Sequence, residues 1–180
     1  MGRVLDGIST ELAAFLEAQP VFFVATAPDD PEGHVNCSPK GLDTFRVIDD
    51  HTVAYLDLTG SGVETVAHLR DNGRITLMFC AFTGRPDIVR LYGRGRAVPA
   101  DAPDAAAWLE RFPEIPGARA VIVVDVERVS SSCGFAVPRM TLDAERDELV
   151  TWAEKKGPDG IARYWHEKNA ASIDGLPGIG

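Results

Sequence analysis

The sequence predicts a mainly β protein of the α+β class, a closed or nearly closed antiparallel β-barrel with short flanking helices and a helical C-terminal extension. Three observations predict this fold. Short β-branched and aromatic runs recur through residues 21–129, and turns rich in glycine, proline and aspartate separate them. From Leu142 onward, charged segments with helical character replace the strand pattern. Six or more such strands close into a barrel or nearly do so.

The length and composition are those of one globular domain. The chain has 180 residues, of which 45% are hydrophobic and 25% are charged, and one core usually accommodates about 100–200 residues. We therefore expect a barrel domain over residues 1–141 and an extension over residues 142–180 that packs on the same domain.

The charge of the chain argues against two classes of partner. Asp and Glu number 27 against 18 Lys and Arg, a net charge of −9, which repels nucleic acid backbones and anionic lipids. No stretch approaches the roughly 20 apolar residues of a membrane helix, and residues 1–6 lack the apolar core of a signal peptide. We expect a cytoplasmic protein that contacts neither nucleic acid nor a membrane.

The cysteines and histidines predict no disulfide framework and no metal. Cys37, Cys80 and Cys133 lie far apart in the sequence, and the four histidines are scattered singly. A structural zinc site needs such residues at motif spacing. Free thiols also suit a reducing compartment.

The N-terminal part predicts one helix followed by a strand meander. Residues 8–18 have apolar residues on one helical face and end at Pro20. The apolar run 21–27 predicts a strand, and the turn-rich segment 28–33 leads into a returning strand over residues 34–41.

The meander continues beyond this hairpin. Residues 45–48 and 52–58 are apolar runs around a polar turn, which predicts two further strands. After the loop 59–62, the apolar spacing predicts a short helix over residues 63–70. Asn72-Gly73 then marks a turn into a strand over residues 74–80.

The remaining elements follow from alternation and composition. Residues 87–98 alternate around Gly93 and Gly95, which predicts a long strand that bends or bulges there. A helix is expected over 105–112, and residues 120–129 form the strongest strand signal, expected at the barrel centre. Helical stretches over 145–156 and up to Asn169 flank a break at 157–160.

Two clusters offer the chemistry of an anion site. Ser38-Pro39-Lys40-Gly41 places a hydroxyl, a cation and an unencumbered backbone together, although a hairpin turn with an exposed lysine is the more common outcome. The loop 59–62 precedes a helix whose N-terminus suits a phosphate. Glu64 weighs against that interpretation, because a first-turn carboxylate satisfies the helix dipole itself.

Two further segments carry reactive residue types. Arg85, Arg90, Arg94 and Arg96 crowd one strand region, where they predict either an anion site or the more common network of ion pairs. Cys133 follows the strongest strand but has no adjacent base or cation in sequence, so a structural thiol is expected. No hydrolase elbow or phosphate-loop motif occurs.

Four segments, taken in order, resemble the pyridoxamine 5′-phosphate oxidase-like family. They run from Phe22 to Ala27, from Gly33 to Gly41, from Asn72 to Phe79 and from Leu91 to Val98. The resemblance covers roughly residues 10–135, and it rests on the order and spacing of the segments rather than on any one motif.

The resemblance implies a split β-barrel homodimer with two flavin mononucleotide (FMN) sites at its interface, acting as a flavin-dependent oxidoreductase on a small-molecule substrate. No catalytic side chain is implied, because the flavin carries the electron transfer. Carried over by position, the cofactor contacts are Ser38, Pro39, Lys40, Gly41, Thr59, Gly60, Ser61, Gly62 and Thr65, with Arg90 as a further basic residue.

Two departures from the family pattern bear on the function. The true oxidases carry an Arg-Lys pair where this chain has Glu64-Thr65. Losing charge-assisted hydrogen bonds of about 1.5–3 kcal/mol each weakens the phosphate clamp unless another basic residue compensates. The Arg-Leu-His-like stretch that holds pyridoxal phosphate in the oxidases has no counterpart in residues 173–180. We therefore expect a relative of the vitamin B6 oxidases with another substrate.

Two alternative functions stay open on the same fold. The first is a reductase that uses the 5-deazaflavin coenzyme, whose polyglutamate tail would favour basic residues near Arg85 and Arg90 and which would tolerate Glu64. The second is a cofactor-free dimeric binding protein, because a fold does not fix a function.

Overall fold

One antiparallel sheet carries the fold in the computed structural model, which describes residues 2–179. Within these residues the strands are β1 (Arg3–Leu5), β2 (Phe22–Thr26), β3 (Asn36–Lys40), β4 (Phe45–Val47), β5 (Thr52–Leu58), β6 (Arg74–Cys80), β7 (Ile88–Pro99) and β8 (Ala118–Ser132). The helices are α1 (Thr10–Glu17), α2 (Glu64–Asp71), α3 (Ala105–Leu109) and α4 (Glu148–Lys168). None of these helices has the length and apolar character that a membrane crossing requires.

The strand order is β3-β2-β6-β7-β8-β5-β4, and β1 also pairs with β8. The sheet curls around one apolar core as a half-barrel, so the predicted split barrel is confirmed. The connectivity differs from a simple meander, because β4 and β5 form a hairpin that pairs with β8 through β5 and with neither β3 nor β6, the strands before and after it in the sequence. This crossing places the end of β5 opposite β3, where the candidate site lies.

β8 is the central strand, as its apolar run predicts. One of its edges pairs with β7, and its other edge pairs first with β5 and then with β1. Residues 119–124 are all buried. The sequence did not predict β1, because three residues carry no periodicity and pair only where β8 extends beyond β5.

The irregularity predicted around Gly93 is confirmed. The register between β7 and β8 shifts between Tyr92 and Gly93. A side chain on Gly93 would clash with the backbone carbonyl of Asp125, so close approach of the two strands requires glycine there.

The core beneath the sheet is aromatic near the candidate site. Phe22, Phe45 and Phe79 pack with ring centroids 4.8–5.4 Å apart, and Tyr55 contacts Phe22 at 5.5 Å. Tilted and stacked ring pairs of this kind add to the free energy of apolar burial. These rings form a rigid floor below β3 and β5.

The helices differ from the sequence prediction mainly at their ends. α1 begins at Thr10 because the Ser9 hydroxyl accepts a hydrogen bond from the Leu12 N–H at 3.2 Å and caps the helix. The break expected at 157–160 between two C-terminal helical stretches is confirmed, because the span α4 is interrupted at Gly157, whose backbone is non-helical (φ 63°, ψ 172°), just before Pro158. The proposed boundary between residues 141 and 142 stays a prediction.

Candidate functional site

The end of β3 meets the loop between β5 and α2 around a cavity of about 310 Å³. Strand alternation turns Asn36, Ser38 and Lys40 to this side of the sheet. We name it the Ser38 cavity. Six of the predicted cofactor residues line it: Ser38, Lys40, Gly60, Ser61, Gly62 and Thr65.

A second cavity of about 440 Å³ adjoins the first. We name it the Leu42 cavity, because Leu42 forms part of its wall. Pro39, Gly41 and Thr59, three more of the predicted residues, line this second cavity. The fold therefore brings together all the residues predicted on β3 and after β5.

Arg90, the remaining predicted cofactor residue, lies outside both cavities. It sits on β7, where its Nη1 atom donates to the Ser132 hydroxyl at 3.2 Å, and it lines neither cavity. Arg94 faces Glu127 at 3.5 Å and Arg96 lies over the Trp108 ring at 5.5 Å. The three arginines thus make separate contacts and form no anion site within one chain.

Asp57 is the electrostatic centre of the site. Its carboxylate is fully buried and accepts from Lys40 Nζ at 3.0 Å and from Arg119 Nε at 2.7 Å. Burial by itself raises the pKa of Asp57, but the charges of Lys40 and Arg119 outweigh it and hold the pKa below its usual value. Asp57 is therefore ionised at neutral pH and neutralises one of the two cations.

Lys40 and Arg119 differ in what they leave for a ligand. Arg119 is almost fully buried and also donates to the Gly62 carbonyl at 2.9 Å and to Asn169 at 3.0 Å. Lys40 keeps 19% of its side chain exposed and has one acceptor, Asp57. Because an ammonium has three donors, Lys40 retains donors for a ligand while Arg119 positions the loop.

Tyr55 adds an unpaired polar group beneath Lys40. Its hydroxyl is buried without a hydrogen-bond partner among residues 2–179, and Lys40 Nζ lies 5.9 Å from its ring centroid. Burial, and secondly the charge of Asp57, raises the pKa of Tyr55 well above its ordinary value. The hydroxyl therefore stays protonated and can serve as a donor.

The C-terminal part of the chain holds the loop 59–62 from behind. Asn169 is fully buried, and its side-chain amide donates to the carbonyls of Gly60 at 3.0 Å and Ser61 at 3.4 Å. Trp165 Nε1 donates to the Thr59 hydroxyl at 2.8 Å. Three consecutive carbonyls, those of residues 60–62, are thus fixed by Asn169 and Arg119.

This arrangement leaves three backbone donors free. In a trans peptide the N–H points opposite to the C=O of the same unit, so the N–H groups of Ser61, Gly62 and Val63 point away from Asn169 and Arg119. They have no acceptor among residues 2–179. Successive free N–H groups ahead of a helix form an anion-binding concavity.

Glu64 opposes that character. It lies in the first turn of α2 and lines the Ser38 cavity. A side chain on Gly62 would overlap its carboxylate, so the carboxylate folds back over the loop. Lys40, Arg119 and Glu64 line the cavity, and Asp57 is buried behind the two cations. The two positive and two negative charges therefore balance in this part of the site.

A polar network continues from the cavity to a buried histidine. Asn36 Nδ2 lies 3.1 Å from Thr65 Oγ1 and 3.3 Å from Thr26 Oγ1, and Thr26 Oγ1 lies 3.0 Å from His68 Nδ1. Burial lowers the pKa of His68, so the ring is neutral at pH 7. The network fixes Thr65 on α2 against Asn36 on β3.

The other candidates considered from the sequence were the three cysteines and a metal site. Cys37 and Cys133 are exposed and Cys80 is buried, all as free thiols. Across residues 2–179, no group of three or more His, Cys, Asp and Glu side chains comes together as a metal site would require.

Sequence reasoning missed the residues that organise the site. Asp57 gives a signal, since a carboxylate inside the buried strand 52–58 requires a charged partner. Arg119, just before the apolar run of β8, gives a weaker signal of the same kind. Asn169 and Trp165 give none, because their partners lie more than a hundred positions away.

Comparison with known proteins places this architecture in a familiar group. The family model described as pyridoxamine 5′-phosphate oxidase matches residues 8–133. A protein of Aspergillus flavus, named pyridoxamine 5′-phosphate oxidase family protein ustO, is 40% identical over 191 residues that cover 97% of this chain and 76% of that protein.

Solved structures share the fold. A variant of HupZ from Group A Streptococcus is 27% identical with a TM-score of 0.54, covering 69% of this chain and 99% of its own. The FAD binding protein from Mycobacterium smegmatis is 17% identical with a TM-score of 0.52, covering 72% of this chain and 98% of its own. At that identity the second likeness concerns the fold alone.

Proposed function

The chain belongs to the pyridoxamine 5′-phosphate oxidase family, and from this membership we propose that it is a flavin-dependent oxidoreductase that binds FMN in the Ser38 cavity. The observation that carries the proposal is that Lys40 and the free N–H groups of Ser61 and Gly62 surround one cavity. A cation and several backbone donors are what the phosphate and ring oxygens of a flavin nucleotide require.

Backbone donors take the place of the Arg-Lys pair that the true oxidases carry. Helix N-termini and successive N–H groups bind phosphate without a cationic side chain. The bonds from Asn169 and Arg119 to the carbonyls behind the loop hold these donors in place before the ligand arrives. Preorganisation of this kind lowers the cost of binding.

The residues have distinct roles in this proposal. Lys40 donates to the bound cofactor, Arg119 and Asn169 position the loop, and Asp57 keeps both cations in place. A bound flavin supplies hydride or electron transfer, while the protein orients the ring and excludes water. No acid or base among the side chains is assigned a catalytic step.

The proposal extends to assembly and location. The Ser38 cavity, at about 310 Å³, lies at the lower end of the usual range for ligand sites of about 300–1,000 Å³. A homodimer in which a second copy covers each cofactor would complete the site, and it would bring Arg90 to the cofactor from the partner's side. Three free thiols suit a reducing cytoplasm.

The positions of the basic residues within one chain give less support to the 5-deazaflavin alternative. Its tail would need basic residues beside the cofactor, but Arg85 lines a cavity with Arg3, Asp87 and Phe135 instead, and Arg90 lines neither site cavity. The vitamin B6 oxidase activity is not proposed, because the phosphate-binding C-terminal stretch of the oxidases has no counterpart here.

An absorbance spectrum tests the proposal directly. Freshly purified protein should be yellow, or should become yellow on reconstitution with FMN, and should release FMN on denaturation. Titration of FMN and of the 5-deazaflavin coenzyme, each followed by fluorescence quenching, separates the two cofactors. A colourless protein that gains no FMN on reconstitution would overturn the proposal.

A further inference from the structure

The Leu42 cavity is built from two distant parts of the chain. Its base and walls include Pro39, Leu42, Leu56 and Leu58 from the barrel. Its cover comes from the C-terminal extension, through Ala144 and Leu149. Its volume of about 440 Å³ falls within the range of small-molecule sites, which are mostly apolar with a few polar groups.

The backbone of Leu42 is strained. With φ of 59°, Leu42 is the one residue other than glycine that has positive φ among residues 2–179. A bulky L-residue in this region costs of order 1–3 kcal/mol and persists where the surroundings require its side chain. Glycine would relieve the strain, and it would also remove the Leu42 side chain from the wall of this cavity.

The Leu42 cavity opens towards the Ser38 cavity. Lys40, Leu58 and Gly60 line both. A side chain on Gly60 would meet no atom within 4 Å, so the space between the two cavities is open at this residue. A ligand in the Leu42 cavity would therefore lie beside whatever occupies the Ser38 cavity.

The charges indicate the chemistry of such a ligand. Lys40, at the inner end of the cavity, is paired with Asp57 at 3.0 Å, so it contributes less charge than an unpaired cation would. At the mouth, Arg146 is 87% exposed and pairs with Glu148 at 3.3 Å, next to Glu145. An apolar body therefore fits inside, with a polar group left at the mouth.

We propose that the Leu42 cavity binds the substrate of the oxidoreductase, a largely apolar small molecule that carries one polar group. The inference rests on the proposed function, because it takes the cofactor to occupy the adjoining Ser38 cavity. The C-terminal extension then has a role in substrate binding, since Leu149 in the first turn of α4 closes the cavity.

The test uses 1-naphthol as an apolar probe and glycerol as a polar one, each titrated into the FMN-loaded protein. We expect naphthol to perturb the visible flavin spectrum saturably and glycerol to leave it unchanged. Leu149→Trp, which fills the cavity, should weaken naphthol binding by roughly tenfold or more while FMN affinity stays within about twofold. Ile173→Trp is the matched control, since Ile173 is exposed in the extension and lines neither cavity, and it should change neither affinity.

A second variant uses the strain at Leu42. Leu42→Gly should keep or raise the melting temperature, because glycine accepts this backbone, and should weaken naphthol binding severalfold. Equal naphthol affinity in wild type, Leu149→Trp and Leu42→Gly would overturn the proposal. If the protein takes up no FMN, the proposed function fails by itself, and calorimetric titration of naphthol into the same flavin-free variants still decides whether this cavity binds apolar molecules.

Discussion

The side-chain amide of Asn169 donates to the carbonyl oxygen of Gly60 at 3.0 Å, across 109 positions of the sequence. Asn169 is the residue that follows α4, and Gly60 lies between the two cavities. The bond makes the C-terminal extension part of the proposed cofactor site, although the extension lies outside the segment that the family model matches.

Replacing Asn169 with alanine should weaken FMN binding and stability together. The change leaves the part-buried Gly60 carbonyl without its donor, at a cost of about 1–3 kcal/mol. The loop 59–62 then loses its fixed orientation, and we expect FMN affinity to fall roughly tenfold in a fluorescence titration. Lys168→Ala, one position earlier and exposed, is the control. Unchanged FMN affinity in a destabilised Asn169→Ala protein would show that the loop needs no support.

Asp57→Asn should destabilise the protein, and it should make the free energy of unfolding fall less steeply as the pH becomes acidic. Removing one partner of a buried ion pair costs about 3–5 kcal/mol. The pKa of Asp57 is lowered in the folded state because Lys40 and Arg119 outweigh burial, so its contribution to stability is complete above the unfolded pKa of about 4 and is lost as the pH falls through the folded pKa. Urea unfolding at about pH 7, 5 and 3.5 measures both effects. An equally steep acid loss in both proteins would contradict the assignment.

Glu64→Gln should raise the affinity for FMN, the flavin that carries a phosphate. Two unit charges about 5 Å apart in water interact by about 0.8 kcal/mol, so removing the carboxylate should raise FMN affinity roughly fourfold. Riboflavin, which lacks the phosphate, should bind as before. Titrations of both flavins at low and high salt provide the measurement, since screening should shrink the difference. A parallel change for the two flavins would place the phosphate away from Glu64.

Lys40→Met should reduce FMN affinity without unfolding the protein. The ammonium supplies charge-assisted hydrogen bonds of about 1.5–3 kcal/mol, which predicts a loss of roughly 10-fold to 100-fold. Asp57 keeps its bond to Arg119 at 2.7 Å in the variant, so the melting temperature should fall only moderately. Lys155→Met on the exposed side of α4 is the matched control. An FMN affinity equal to that of the wild type in Lys40→Met would show that Lys40 does not bind the cofactor.

His68→Gln should remove one source of pH dependence. Burial lowers the pKa of His68 in the folded state, so its neutral ring supports stability above the unfolded pKa of about 6.5, and that support is lost as the pH falls below it. Melting temperatures between about pH 7 and pH 5 should fall less in the variant than in the wild type. His51→Gln, a substitution at an exposed turn, is the matched control. An identical slope in all three proteins would assign the pH response to other groups.

Local patterns predicted most of the elements. The runs 52–58 and 74–80 match β5 and β6 residue for residue, because β-branched and apolar residues there are buried, on both faces in β5 and mainly on one face in β6. The glycine at position 93 predicted the register shift for a steric reason that is local to the strand. The split barrel itself came from the resemblance, since strand runs alone do not specify which edges pair.

Only part of the candidate site could be predicted from the sequence. Ser38 to Gly41 and Thr59 to Gly62 are adjacent to strand ends and carry recognisable residue types. Arg119 and Asn169 act through contacts that the tertiary fold alone creates, between β8, α4 and the loop after β5. The part that the C-terminal extension plays in the site was not predicted for the same reason.

The bonds from Asn169 and Trp165 also set an order of events during folding. β7, β8 and β5 pair across long stretches of chain, and such non-local topology folds slowly. The loop 59–62 obtains its final partners from residues that leave the ribosome more than a hundred positions after it. The barrel itself supplies Arg119 and Gly117 to this loop, but the bonds to Gly60 and Ser61 wait for Asn169, so competence to take up a ligand is acquired last, when the end of α4 docks.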